Sequence, residues 1–143
     1  MTVEIRRVRD RDEYAAALDL RHRVFCVEQG VPKREELDGR DEEAVHLVAV
    51  EDGRVVGTCR LLFVDRTVQL SRLAIDRAAR RRGLATRLLQ AADAEALAAG
   101  ARRIVLHAQT YARALYLGCG YEPRGHAFVE AGIEHIAMEK RLA

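Results

Sequence analysis

The chain has 143 residues, 49% of them hydrophobic and 32% charged, with a net charge of +2. That length suits one domain of roughly 150 residues, and the composition excludes a disordered, collagen-like or fibrous chain. So small a net charge excludes the strongly basic balance of a nucleic-acid or membrane binder, and Cys26, Cys59 and Cys119 are an odd number in unrelated contexts, which makes no disulfide framework.

Met1-Thr-Val-Glu-Ile-Arg-Arg7 carries charge where a secretion signal would be apolar, and no apolar run reaches the length of a membrane span. A cytoplasmic protein is expected, with no nucleic-acid and no membrane partner. Thr2 to Val8 alternates charged and apolar residues and reads as a strand. From Asp10 to about Val27, Tyr14, Ala17/Leu18, Arg21 and Val24/Phe25 share one face at the spacing of an amphipathic helix. Glu28 to Glu43 is polar and irregular around Gly30, Pro32 and Gly39, and predicts a long loop with one short helix at most. Loops of this length are uncommon in compact domains and tend to line binding sites.

Val45 to Val50, the turn Glu51-Asp-Gly-Arg54 and Val55 to Val64 predict a hairpin. Thr67 to Ile75, after the short Asp65-Arg66 link, adds a third strand to an antiparallel meander. The period then changes: Leu84, Leu88, Ala91/Ala92 and Ala98 lie on one helix face, closed by Gly100. Arg102 to Ala108 returns to a strand, so strand, helix and strand make a parallel unit with a right-handed crossover. Thr110 to Gly118 predicts a short helix, Tyr121 starts a strand and Ile133 to Leu142 forms the last. No repeat or linker divides the series. The expected class is therefore α/β, a single mixed, mostly antiparallel sheet flanked by helices, in one domain over residues 1–143.

The chemistry is concentrated between Leu73 and Thr86, where Arg77, Arg80, Arg81 and Arg82 crowd a loop between a strand and a helix that begins near Gly83 or Leu84. Free amides at a helix start and the positive end of its dipole make an anion site, and Gly83 lets a ligand approach the backbone closely. Cations there sit on the unfavourable side of the dipole, at about 0.3 to 1 kcal/mol each. A bound di- or triphosphate removes that conflict, whereas a solvated surface run leaves it standing. The spacing is neither a Walker loop nor a G-x-G-x-x-G dinucleotide pattern.

Arg80-x-x-Gly83-x-Ala85, preceded by the strand Leu70-Ser-Arg-Leu-Ala-Ile75, resembles the Gln/Arg-x-x-Gly-x-Gly/Ala signature of the GNAT N-acetyltransferase superfamily. Ala112-Arg-Ala-Leu-Tyr116-Leu-Gly-Cys-Gly120-Tyr-Glu is similar to the family's later helix and its Tyr-x-x-x-Gly-Phe/Tyr turn. Leu20 to Gly30, Glu36-Leu37-Asp38-x-x-Asp41 and Gly132-Ile-Glu-His135-Ile-Ala-Met138 resemble the ElaA-like subgroup of small bacterial acetyltransferases, which extends the similarity through nearly the whole chain.

The resemblance implies the acyl-CoA N-acyltransferase fold and transfer of an acetyl group from acetyl-CoA to an amine of a small molecule or peptide, by direct attack in a ternary complex. It places the pantetheine arm on the main chain of Leu73, Ala74 and Ile75. The coenzyme A pyrophosphate falls on Arg80, Arg81, Arg82, Gly83, Leu84, Ala85 and Thr86. Tyr116 matches the family tyrosine that protonates the leaving thiolate; otherwise it is a buried core tyrosine. Glu28 is a substrate contact and a candidate base, against the alternative of a surface carboxylate paired to Arg21 or Arg23. His107 and His135 are other candidates for the base and for contact with substrate, each on a predicted strand, where a satisfied core histidine is the alternative. Cys26, one helical turn from His22, raises an acyl-cysteine route that a small buried cysteine explains better. No metal is expected, since no ligand set shows a recognisable spacing. The acidic run from Glu35 to Glu43 hints at a cationic acceptor, or is merely solvated. A monomer or homodimer fits, and a non-catalytic acyl-CoA sensor is the alternative reading.

Overall fold

The computed structural model describes residues 2–142. Strands β1 (Val3–Arg7), β2 (Val45–Glu51), β3 (Arg54–Val64), β4 (Thr67–Ile75), β5 (Arg103–Gln109), β6 (Glu122–Glu130) and β7 (Ile133–Arg141) form one sheet in the order β1-β2-β3-β4-β5-β7-β6. The β4–β5 pair is parallel and the others are antiparallel. Four helices flank it: α1 (Arg11–Arg21), α2 (Lys33–Glu36), α3 (Leu84–Ala98) and α4 (Arg113–Gly118). Asp52 and Gly53 both take the left-handed backbone, at φ 51° and 75°, as a two-residue hairpin turn between β2 and β3 requires.

The two faces of the sheet differ. On one, Leu47, Leu61, Val68, Ile104, Leu106 and Met138 bury against Leu84, Leu88, Leu89, Ala92 and Ala96 of α3 and Tyr116 of α4. Gly57 sets the depth of that packing, because a Cβ there would lie 3.0 to 3.2 Å from Ile75 Cδ1, Leu88 Cδ1 and Ala49 Cβ. On the other face a smaller core joins Ala17, Leu20 and Val24 to Val48, Val55 and Ala74. The register keeps Leu62, Gln69, His107, Gln109, Phe128 and His135 on this second face, so its β5–β7–β6 half is polar.

Asp10 caps α1, accepting from the Glu13 amide at 2.9 Å, with Asp12 and Glu13 in the first turn where the helix dipole favours them. The predicted helix does not run on regularly to Val27. From His22 to Glu28 it widens into a π-helix, and the Gln29 amide reaches five residues back to the Val24 carbonyl at 3.2 Å. Such wide turns are frequent at functional sites. Here Val24 is buried while Phe25, Glu28 and Gln29 line a cavity.

The acidic loop after this turn is not simply solvated. Arg21, 1% exposed, binds Glu36 at 2.7 Å and Asp41 at 2.7 Å. Arg60 binds Asp38 at 2.8 Å and Asp41 at 3.1 Å, and Arg72 reaches Glu36 at 2.8 Å. Three arginines on α1, β3 and β4 thus clasp the loop to the sheet. Burying such charges is tolerable only because each has its partners, and removing one partner costs about 3 to 5 kcal/mol. The Arg60 guanidinium holds the Asp38 carboxyl far below the usual carboxylate range. Asp41 is lowered as well, because bonds from Arg21 and Arg60 outweigh a burial that acts the other way.

Candidate active site

β4 carries a bulge. Thr58 on β3 pairs with Ala74 and Arg60 with Ser71, so Cys59 faces two residues, Arg72 and Leu73. Arg72 absorbs the extra residue at φ 57°, a left-handed backbone that non-glycine residues seldom adopt, and its side chain is spent on the acidic loop. β4 and β5 pair only over Thr67–Gln69 and Arg103–Val105. Beyond those residues they part, and the main chain of Leu73 to Ile75 stands at the split.

The 3₁₀ turn Arg77–Ala79 and Gly83 then lead into α3. Gly83 has φ 78°, and no atom lies within 4 Å of the position its Cβ would take, so the backbone conformation, not crowding inside the chain, demands glycine. No side chain caps α3, and the amides of Arg81 to Thr86 have no acceptor among the described residues. That run of unpaired donors at a helix start fits an anion such as the pyrophosphate of coenzyme A. The arginines are less free than the sequence suggests: Arg80 bonds the Ile75 carbonyl at 3.0 Å and Glu28 at 2.8 Å, and Arg82 pairs with Glu51.

A cavity of about 780 Å³ opens on the α1 side of the split. It brings together Glu28, Arg80 and Ala85 with Leu73, Ala74 and Ile75, and on its far wall His107 and His135. Arg81, Arg82, Gly83, Leu84 and Thr86 lie outside its lining, as does Tyr116, whose neighbours Ala112 and Leu115 are part of it. Tyr116 is 8% exposed and packs edge-on against Tyr121, with ring centroids 5.8 Å apart. Burial pushes its phenol above the usual range, which keeps the proton on oxygen. Glu28 does not pair with Arg21 or Arg23, which are committed to Glu36 and Asp76; its partner is Arg80. Cys26 is half-buried, burial raises its thiol, and it does not line the cavity. A thiol kept protonated is a poor nucleophile.

The sequence reading missed Glu130, Gln109 and Tyr111, and had Gln29 only as a member of the block Leu20 to Gly30. Gln109 donates to Gln29 at 2.8 Å and Gln29 to the Tyr111 hydroxyl at 3.3 Å, which bridges the π-helix to the end of β5. Glu130 accepts from His107 Nδ1 at 2.9 Å. Only the cross-strand register, which sets Phe128 opposite His135 and Glu130 opposite Ile133, reveals that last group. Among the described residues no set of three or more His, Cys, Asp or Glu is arranged to hold a metal, and no helix is long and apolar enough to cross a membrane.

Known proteins share this arrangement. An acyl-CoA N-acyltransferase from Pseudomonas aeruginosa is 30% identical, with 97% of this chain and 98% of that one aligned and a TM-score of 0.85. ElaA of Escherichia coli has the same fold at 23% identity, with 97% and 99% coverage and a TM-score of 0.86. The sheet split after its parallel pair, with α3 starting at the split, is the acyl-CoA N-acyltransferase fold, and the molecule is an acyltransferase. Residues 12–142 match the acetyltransferase (GNAT) domain model, and the uncharacterized N-acetyltransferase YjcF of Bacillus subtilis is 31% identical over 92% of this chain and 95% of its own length. The chain belongs to the GNAT acetyltransferase family, whose chemistry is acyl transfer from a coenzyme A donor.

Proposed function

We propose that the chain, acting as one cytoplasmic domain, moves an acetyl group from acetyl-CoA to an amine of a small molecule or peptide by direct attack in a ternary complex. The observation that carries this reading is the run of unpaired amides from Arg81 to Thr86, set beside the parted strands β4 and β5. The pyrophosphate lies on those amides, with Arg80 to Arg82 adding charge. The pantetheine arm follows the main chain of Leu73 to Ile75, and the thioester carbonyl takes an amide of Ala74 or Ile75 as its hydrogen-bond donor. Tyr116, protonated and next to residues that line the cavity, supplies the proton to the departing thiolate. Glu28 meets the acceptor at the rim, where its charge is balanced by Arg80. A protonated Cys26 outside the cavity supports transfer without an acyl-enzyme.

Calorimetric titration with acetyl-CoA tests the reading. Wild type should bind at micromolar affinity or a little weaker, a free energy of about −8 kcal/mol or somewhat less favourable. Gly83→Glu puts a carboxylate on a left-handed backbone at the pyrophosphate and should abolish binding in a protein that still folds. Unchanged affinity in that variant would remove the site assignment.

A further inference from the structure

We propose that His135 Nε2 is the base that takes the proton from the acceptor's ammonium group, and that Glu130 positions it and stabilises the imidazolium that forms. The proposal deepens the acetyl-transfer reading and rests on it. His135 lies on β7, 6% exposed, on the polar wall of the cavity. Its Nδ1 is 2.7 Å from the Ile133 carbonyl. A carbonyl only accepts, so Nδ1 carries the hydrogen and the lone pair of the neutral ring is on Nε2. That nitrogen faces Glu130 Oε2 at 3.9 Å, which leaves two acceptors turned toward each other with no hydrogen between them. An N–H⁺ group entering this space, or a proton arriving on Nε2, satisfies both.

The second oxygen of Glu130 is fixed by His107 Nδ1 at 2.9 Å, and the Phe128 ring stacks on His135 at 6.0 Å and 22° while His107 meets its edge. The imidazole, its carboxylate and the cavity therefore form a base with an orienting partner. Glu130 and His107 are the titratable groups brought to His135 among the described residues; across the cavity Glu28 is neutralised by Arg80, and Asp38 by Arg60. The step balances. One ammonium N–H bond breaks and its proton goes to Nε2. The freed nitrogen pair forms the C–N bond to the thioester carbon and the C–S bond breaks. Tyr116 gives its proton to the coenzyme sulfur and is re-protonated by the second proton, shed by nitrogen as the amide forms, and Nε2 returns its proton to water.

The acceptor is thus an amine that arrives charged, and benzylamine and spermidine serve as probes. Acetyl-CoA affinity, kcat, KM and the ¹⁵N signals of the histidine rings are measured for wild type, His135→Gln and Glu130→Gln. His135→Gln should lower kcat/KM by at least about 100-fold with acetyl-CoA affinity within a few-fold. Glu130→Gln removes the carboxylate that orients the ring and should lower kcat by about 10-fold or more with KM and acetyl-CoA affinity within a few-fold. Unchanged kcat/KM in His135→Gln overturns the proposal, as does unchanged kcat in Glu130→Gln. If neither amine is turned over, the ring signals decide: hydrogen on Nε2 of neutral His135 overturns it, and hydrogen on Nδ1 supports it. Loss of acetyl-CoA binding by the wild type would fail the broader reading instead, and leaves the ring signals readable.

Discussion

The cavity has two acidic walls built with opposite chemistry. On the α1 side, Glu36, Asp38 and Asp41 are held by Arg21, Arg60 and Arg72. On the β6–β7 side, Glu130 is held by His107 and faces the bare Nε2 of His135. A guanidinium stays charged at every working pH and grips a carboxylate through a rigid fork. An imidazole changes charge near neutrality. The first wall is fixed and has no proton to trade, whereas the second carries the proposed base, so carboxylates that look alike in sequence divide into scaffold and proposed chemistry according to the partner that the fold gives them.

The strongest way to break this contrast is to remove one acid from each wall. Glu36→Ala should cost about 3 to 5 kcal/mol of stability in denaturant unfolding, since it takes from the buried Arg21 guanidinium one of its two carboxylates. Glu130→Ala, at a half-exposed side chain, should cost less than about 1 kcal/mol. Equal losses would mean that the histidine wall is scaffold too. A second substitution touches neither wall: Tyr116→Phe should lower turnover about 10- to 1000-fold and leave acetyl-CoA affinity within a few-fold. Unchanged turnover would make Tyr116 a core residue alone.

Acid sharpens the comparison further. Asp38 and Asp41 have folded pKa values below their unfolded ones, so their contribution is complete above the ordinary aspartate value of about 3.9 and is lost as pH falls below it. Burial also lowers the His46 imidazole, whose Nε2 lies 2.8 Å from the Asp41 carbonyl. The unfolded chain therefore takes up that proton first, and a shallow loss should begin as pH drops below about 6.5. Urea midpoints across pH 3 to 8 should show both phases, and the steep one should vanish in Glu36→Ala if the clasp acts as one unit. The smallest effect on activity belongs to Cys26→Ala, which should retain most turnover and lose about 1 to 2 kcal/mol of stability. A stoichiometric acetyl adduct on Cys26 after mixing with acetyl-CoA would replace direct attack by a covalent route.

The legible parts of the molecule were those written in local periodicity. The β2–β4 meander, its Asp-Gly turn and α3 closed by Gly100 follow from spacing over a few residues, and the Arg80–Gly83–Ala85 turn from its setting between strand and helix. Partners were not legible. Arg21 fell on the same helix face as Ala17 and Val24, but what pairs its buried charge lies in Glu36 and Asp41, 15 and 20 residues away. Glu28 finds Arg80 across 52 residues. Glu130 reaches His107 across 23 residues and meets His135 only because the Ala131-Gly132 turn, both residues left-handed, folds β6 onto β7. No periodicity in the α1 region signals the π-helix.

The bulge at Arg72 resets the phase of a strand. Side chains of β4 alternate in odd steps up to Ser71, yet Ala74, an even number, shares the face of Ser71, because Thr58 and Arg60 opposite them are two apart. One strand thus carries two frames, an odd one that gives Gln69 and Ser71 to the cavity floor and an even one that gives Ala74 to the core beneath α1. Deleting Arg72 would merge the frames without turning a side chain over: Ser71 and Ala74 would stand two apart, as Arg60 and Thr58 do opposite them, and Leu73, Ala74 and Ile75 would keep the faces they have. A one-residue deletion elsewhere in β4 is instead a frameshift in three dimensions.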